Sequence, residues 1–198
     1  MRSQYLLSCV QTQGDQTLMK KLTLPMDEET RASLKAGETV LLSGVVYTAR
    51  DAAHKRLVHM LECEEPLPID LNNASIYYVG PTPACHGHAI GSAGPTTSSR
   101  MDAYTPQLLQ EGLRVMIGKG RRSDAVKDAI RKYGAVYFVA CGGAGALLSH
   151  CIIESEPVAF EDLLAEAIVR LTLKDFPCFV GIDVQGNDIY DLEDDLKP

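Results

Sequence analysis

The chain has 198 residues, of which 45% are hydrophobic and 23% charged, and its formal net charge is −7. This composition is typical of a globular protein with a sizeable core, and the acidic balance argues against nucleic acid or an anionic membrane as a partner. No apolar run reaches the roughly 18 residues of a membrane span, and the N-terminal run is too short for a signal peptide. We therefore expect a cytoplasmic protein, with residues 1–18 as an N-terminal tail.

The six cysteines are irregularly spaced, and none form a Cys-x-x-Cys pair. This spacing argues against a zinc ribbon, a ferredoxin-type cluster loop and a disulfide scaffold. We expect most of the thiols to be reduced and buried, and we expect this chain to contribute no metal ligands.

Apolar runs and helical patterns alternate along residues 19–190. Strands are predicted at 22–24, 39–47, 75–79, 114–117, 135–140 and 179–184, and helices at 52–62, 101–110 and 124–133. Residues 27–35 are predicted as a turn or short helix, 161–173 as mixed, and 191–198 as an acidic C-terminal tail. This alternation predicts one α/β domain in layers, with a largely parallel sheet flanked by helices.

The stretch Gly91–Asp102 combines two glycines, a proline, four consecutive hydroxyl residues and an arginine. Ser98 or Ser99 can cap a helix that begins near Arg100, and the free N–H groups of such a helix favour an anion. A guanidinium adds bidentate recognition of a carboxylate or phosphate. The stretch is equally consistent with an ordinary turn that leads into a helix.

Two further cations follow predicted strands. Arg50 comes where a strand gives way to a helix, although it is equally suited to a surface salt bridge with Asp51 or Glu62. Lys119 lies between two glycines at a strand end, where a lysine can reach a ligand; the segment lacks the glycine-rich frame of a P-loop. Ligands of open α/β sheets bind at such loops.

Two other patterns carry weaker indications. Residues 85–88, Cys-His-Gly-His, suggest a metal site, but partners at usable spacing are lacking, so an exposed loop is favoured. Gly142-Gly143 lacks the order of a dinucleotide loop and favours close helix–sheet packing. Arg50, Arg100 and Lys119, with hydroxyls between them, are suited to a small dicarboxylate, although no catalytic triad or cofactor fingerprint accompanies them.

Five stretches of the chain together carry a resemblance to a known family. They are Thr48–Arg56 (TARDAAHKR), Tyr78–Pro83 (YVGPTP), Gly91–Asp102 (GSAGPTTSSRMD), Gly118–Gly120 (GKG) and Gly181–Asn187 (GID-x-x-GN). In these stretches the chain resembles the C-terminal domain, or separate β subunit, of class I fumarate hydratases. The β subunit of L-tartrate dehydratase is a close relative, and the Arg-Asp-Ala-Ala-His-Lys-Arg form is more similar to the fumarase branch. Residues 85–88 depart from the family pattern, in which a Pro-Gly-Lys type loop is usual.

The resemblance implies a swivelling β/β/α domain and the reversible hydration of fumarate to L-malate, a reaction of the tricarboxylic acid cycle. It implies a [4Fe-4S] cluster held by cysteines of a partner α subunit. It also implies an assembly in which two α–β units form a homodimer. Matched to the family's motifs, Arg50, Arg100 and Lys119 bind substrate, and Thr96 is the catalytic hydroxyl.

The resemblance leaves three alternatives open. A threonine hydroxyl is a poor base, so Thr96 either takes the proton from C3 of malate or only orients the substrate while another group does so. The chain can be a subunit of a tartrate or related hydroxy-acid dehydratase. It can also be a non-catalytic module that binds small anions.

Overall fold

The computed structural model describes residues 19–84, 87 and 89–194. The predicted N-terminal tail, the cysteine and histidines of segment 85–88 and residues 195–198 lie outside the described residues. No helix of the described chain is long and apolar enough to cross a membrane.

Seven strands of the described chain form one sheet. They are β1 (Lys20–Leu24), β2 (Thr39–Thr48), β3 (Ser75–Tyr77), β4 (Val115–Gly118), β5 (Val136–Val139), β6 (Ile152–Ala159) and β7 (Ile168–Ile182). The order in the sheet is β1-β2-β3-β4-β5-β7-β6, and β7 also pairs with β2. This additional pairing closes the sheet into a barrel-like ring.

The sheet is parallel in one part and antiparallel in the other. Strands β1 to β5 pair in parallel, as predicted, whereas β7 runs antiparallel to β2, β5 and β6. The expectation of a largely parallel sheet is therefore wrong for the C-terminal strands. The α/β class is confirmed, and the swivelling β/β/α arrangement implied by the resemblance stays a prediction.

In the described part of the chain, six α-helices accompany the sheet. They are α1 (Glu28–Ala32), α2 (Asp51–Glu62), α3 (Thr105–Gln110), α4 (Asp124–Tyr133), α5 (Gly145–Leu148) and α6 (Ile189–Asp194). Shorter 3-10 segments cover Ser98–Met101, Ser149–Cys151 and Glu161–Glu166. Helices α2 and α4 match the predicted ranges closely, and Gly134 ends α4 in the left-handed conformation. Helix α6 includes the first four residues of the predicted acidic tail.

The core has two layers because successive strand residues point to opposite faces of the sheet. Val115 and Ile117 of β4 belong to the cluster enclosed by the ring, whereas Met116 between them packs under the helices. Tyr137 of β5 lies on the helix side in the same way. Strands β4 and β5 are thus covered on both faces, so their sequences are apolar throughout.

Candidate functional site

The candidate residues lie where the parallel strands β2 to β5 end. Residues 49–50 follow β2, residues 78–80 follow β3, and residues 119–120 follow β4. The stretch Gly91–Asp102 crosses the same edge, because Pro95 bridges to Val79 and Thr97 bridges to Lys119. The structure therefore brings the four predicted site residues to one edge of the sheet.

Arg50 directly precedes the first turn of α2, at the predicted strand-to-helix junction. Its side chain is 23% exposed and lies between two carboxylates, with Nη2 3.7 Å from Oε1 of Glu166 and Nε 4.0 Å from Oδ2 of Asp51. A Cβ at residue 80 would overlap Nη1 of Arg50, so glycine at that position makes room for the guanidinium. The ion contact with Asp51 is present, and Glu166 takes the place expected for Glu62.

Arg100 lies inside the 3-10 turn Ser98–Met101 and not at the head of a helix, so this prediction is wrong. Neither Ser98 nor Ser99 is the cap; Thr97 precedes the turn and makes no side-chain capping bond. Helix α3 begins only at Thr105, because a proline in its first turn favours the start of a helix there. Arg100 is 49% exposed, and its Nε donates to Oδ1 of Asp51 at 2.9 Å.

The N-terminus of α2 is already satisfied by a carboxylate of the chain itself. The N–H of Ala52 donates to Oε2 of Glu166 at 2.7 Å, although the two residues are 114 positions apart. Glu166 thereby stabilises the first turn of the helix and also faces Arg50. The Ala52 N–H is therefore not free to bind a ligand.

Thr96 is fixed at the edge by its backbone. Its N–H donates to the carbonyl of Tyr78 at 2.7 Å, and the side chain is half-buried. Within residues 19–84 and 89–191, the Thr96 hydroxyl has no hydrogen-bond partner. The hydroxyl is thus available to a molecule bound at this edge.

Lys119 follows β4 and is fixed by Ser98. The Ser98 N–H donates to the Lys119 carbonyl at 2.9 Å, and the Lys119 N–H donates to the Ser98 hydroxyl at 3.0 Å. The side chain passes over Gly142, since a Cβ there would lie 3.9 Å from Nζ of Lys119. The Lys119 side chain therefore lies within ordinary van der Waals distance of residue 142, and Gly143 has a φ of 78°, which favours glycine.

Arg122 is a buried residue that the sequence did not single out. Its side chain is fully buried; Nε donates to Oδ1 of Asp102 at 2.7 Å, and Nη2 donates to the Thr105 hydroxyl at 2.8 Å. Its guanidinium also lies over the rings of Tyr78 and Tyr137. Nothing in the local pattern distinguishes it from exposed Arg121, since its partners come from other segments. Arg122 thus connects buried residues that follow β3 with residues that follow the loop Gly91–Asp102.

His54 is also buried beneath this edge, in the second turn of α2. Its Nδ1 lies 2.9 Å from the Arg50 carbonyl and its ring packs edge-on against Tyr78. Because a carbonyl only accepts, Nδ1 carries the proton and Nε2 is left without a partner among the described residues. Burial lowers the pKa of His54 to about 4, so the ring is neutral at pH 7.

The described cysteines do not form a ligand set. Cys63 and Cys141 are exposed, Cys151 is half-buried and Cys178 is buried, and all four are free thiols. The prediction that most cysteines are buried is therefore wrong for three of these four. Across 19–84, 87 and 89–194, no group of three or more His, Cys, Asp or Glu could hold a metal ion.

The charges at this edge favour a small anion. Arg50, Arg100 and Lys119 contribute three cations, and Asp51 and Glu166 compensate two of them. The remaining positive charge stands out on a chain whose net charge is −7. An anion with carboxylate groups could accept from the guanidinium forks while it contacts the free hydroxyl of the loop.

Fold and site together define an α/β domain with three cations and one unpartnered hydroxyl at the described ends of its parallel strands. The chain belongs to the family described as Fumarase C-terminus, whose model matches residues 2–192. The resemblance drawn from the sequence motifs is therefore confirmed at the level of the family.

Two similar proteins are much longer than this chain. It is 40% identical over 157 residues to "Fumarate hydratase 2" of Leishmania major, a match covering 78% of this chain and 28% of that protein. It is 41% identical over 151 residues to "Fumarate hydratase class I, aerobic" of Escherichia coli (strain K12), which covers 75% and 28%. The chain thus spans little more than a quarter of these relatives.

A third relative is of similar length. The chain is 37% identical over 164 residues to "Putative L(+)-tartrate dehydratase subunit beta" of Methanocaldococcus jannaschii, and the match covers 80% of this chain and 84% of that protein. This relative, which has about the length of the present chain, is named as a subunit. In the two longer relatives the present chain matches only a part of the protein.

Proposed function

We propose that this chain supplies the carboxylate-binding part of the active site of a class I fumarate hydratase, which hydrates fumarate reversibly to L-malate. One observation carries the proposal: Arg50, Arg100, Lys119 and Thr96 gather at one edge of a domain of this family. Relatives named fumarate hydratase supply the choice of reaction.

The cations have two tasks in this proposal. Arg50 and Arg100 bind the substrate carboxylates, and Lys119 contacts a carboxylate or the hydroxyl of malate. When the carbon next to a carboxylate loses its proton, negative charge moves onto the carboxylate oxygens. Guanidinium groups held near those oxygens stabilise the charge as it develops.

Thr96 is the proposed catalytic hydroxyl. Its half-buried side chain has no partner in the described chain, and Arg100 lies four residues further along the same loop. A threonine takes a proton only if nearby cations and N–H groups stabilise its anion strongly. The competing proposal is that Thr96 orients the substrate while a group of the partner takes the proton.

A partner α subunit completes the site in this proposal and holds the [4Fe-4S] cluster. The described residues of this chain do not fit such a cluster, because no suitable ligand group is present among them. The reaction also handles a dianion, and the edge carries a surplus of about one positive charge, so further positive charge is needed from outside.

An apolar surface next to Arg50 supports a partner at this place. Leu164, two positions before Glu166, is 82% exposed, and its backbone has φ 54° and ψ −115°. It borders a cleft of about 560 Å³ that is lined also by Pro81, Ile90 and Ala165. Leu164 and the apolar lining of this cleft together form an exposed apolar surface, and such surfaces are common where another protein binds.

The test is reconstitution with the partner. The full chain is purified alone, and then with an α subunit whose cluster has been rebuilt without oxygen. Hydration of fumarate is expected only in the mixture, and exposure to air is expected to abolish it. Turnover or stoichiometric iron–sulfur absorbance in this chain alone would overturn the division of roles. Anion binding without turnover in the mixture would favour the non-catalytic module.

Tartrate dehydration is the second candidate, favoured by the subunit of similar length from Methanocaldococcus jannaschii. The same cations could hold L-tartrate, which differs from malate by one hydroxyl group. Assays of the reconstituted mixture with malate and tartrate at equal concentration distinguish the two by their kcat/KM values.

A further inference from the structure

Asp51 lies between the two arginines of the edge and contacts both. Its Oδ1 accepts from Nε of Arg100 at 2.9 Å, and its Oδ2 lies 4.0 Å from Nε of Arg50. Oδ2 and the Arg50 Nε are both buried and have no hydrogen-bond partner in the described chain. Two buried atoms of oppositely charged groups therefore lie 4.0 Å apart, just beyond hydrogen-bond distance.

This contact joins two segments that are distant in the sequence. Asp51 is the first residue of α2, whereas Arg100 belongs to the 3-10 turn Ser98–Met101. Without an anchor, a half-exposed arginine adopts many rotamers, and a ligand must order it on binding. The carboxylate removes part of that cost before the ligand arrives.

The two terminal nitrogens of Arg100 have no hydrogen-bond partner among the described residues. Asp51 accepts a hydrogen bond only from Nε. The two terminal nitrogens thus remain available as a planar fork for a carboxylate. Arg50 is braced on its other side by Glu166, 3.7 Å from Nη2.

We infer that Asp51 is a positioning residue that holds Arg50 and Arg100 at a fixed separation, so that together they bind both ends of a dicarboxylate. The inference rests on the proposed function for the identity of the ligand. Asp51 does not touch the substrate; it fixes the direction of two groups that do.

Asp162 offers a matched control. It also pairs with an arginine of α2, since both its oxygens accept from Arg56, at 2.7 and 2.8 Å. That pair joins the helix to the segment Glu161–Glu166 and, among the described residues, makes no hydrogen bond or ion pair with Arg50 or Arg100. Asp162→Asn therefore removes an arginine-paired carboxylate that contacts neither Arg50 nor Arg100.

The kinetic test uses the assembled enzyme. Asp51→Asn is expected to raise KM for fumarate and malate about tenfold, the size of one lost charged hydrogen bond, with kcat changed less than about twofold. Asp51→Glu restores the charge and is expected to fall between the wild type and Asp51→Asn. Asp162→Asn is expected to behave as the wild type.

A second measurement reads the arginines directly in the full chain. The Nε–H resonances of Arg50 and Arg100 are followed by NMR while succinate is added. In the wild type the Arg100 signal is expected to be protected from exchange and to shift with succinate; in Asp51→Asn the protection is lost. This measurement needs neither a cluster nor turnover.

The outcomes separate the two proposals. If the assembled wild type has no activity, the proposed function fails, and the NMR signals still test the bracing by Asp51. Equal KM values in the wild type and Asp51→Asn, or an unchanged Arg100 Nε–H signal, would overturn the positioning role. If Asp51→Asn does not fold, Asp51→Glu provides the test, because its longer side chain displaces the carboxylate. A wild-type KM in Asp51→Glu would then overturn the positioning role.

Discussion

Ser98 and Lys119 are joined by two reciprocal hydrogen bonds. The Ser98 N–H donates to the Lys119 carbonyl at 2.9 Å, and the Lys119 N–H donates to the Ser98 hydroxyl at 3.0 Å. Tyr137 donates its own proton to the Gly120 carbonyl, so its oxygen, 2.9 Å from the Ser98 hydroxyl, accepts from Ser98. One buried hydroxyl thereby holds the loop of Thr96 against the loop of Lys119.

Ser98→Ala is expected to destabilise the chain by about 1–3 kcal/mol, because the partly buried N–H of Lys119 then lacks an acceptor. The free energy of unfolding in urea measures this effect. Exposed Ser99 provides the control, and Ser99→Ala is expected to change stability by less than about 0.5 kcal/mol. Equal stability of the two variants would show that the hydroxyl of Ser98 does not fix the loops.

The parallel part of the fold could be predicted because its signals are local. The apolar runs at β2, β4 and β5, and the helical patterns of α2 and α4, are each contained in about ten residues. The sequence pattern does not predict β6. This strand lies at the edge of the sheet, few of its positions are buried, and Glu154, Glu156 and Pro157 interrupt its apolar residues. Strand β7 was divided because Lys174, Asp175 and Pro177 interrupt its apolar pattern.

The cations of the site could be predicted from the sequence, but the residues that hold them in place could not. Arg50 and Lys119 follow strands, so their common edge follows from the order of strands and helices. Glu166 reaches Ala52 across 114 positions, and that contact depends on the ring closure through β7. Periodicity carries no information on such a contact, nor on the burial of Arg122.

Arg50→Lys is expected to weaken dicarboxylate binding by roughly 1–3 kcal/mol, because a planar fork is replaced by a point charge. Lysine is also unable to reproduce the approach to both Glu166 and Asp51. The effect is measured as a rise in KM for malate in the assembled enzyme. Unchanged KM and kcat would exclude Arg50 from the site.

Thr96→Val keeps the shape of the side chain and removes the hydroxyl. If that hydroxyl takes the proton, kcat is expected to fall by about 10²-fold or more with a modest change in KM, and Thr96→Ala should be equally impaired. Cluster content is checked in each variant, so that a loss of assembly is not read as a loss of chemistry. Near-normal turnover in either variant would leave Thr96 only an orienting role.

The burial of His54 predicts a dependence of stability on pH. The pKa of this histidine is lowered from 6.5 to about 4, first because burial disfavours the charged ring and, further, because Arg122 repels it; the carbonyl of Arg50 opposes both effects. At pH 7.5 the ring is neutral in both the folded and the unfolded chain. As the pH falls through 6.5, the unfolded chain binds a proton that the folded chain does not.

The free energy of unfolding is therefore expected to decrease between pH 7.5 and pH 5, by about 2 kcal/mol from this residue alone. Other groups contribute to the same slope, so the measurement compares urea unfolding of the wild type and His54→Gln at both pH values. Glutamine does not titrate, and the advantage of the wild type over it should shrink by that amount at pH 5. His59→Gln changes an exposed histidine of the same helix and serves as the matched control variant. An identical slope in His54→Gln would mean that His54 is charged, or reached by water, in the folded chain.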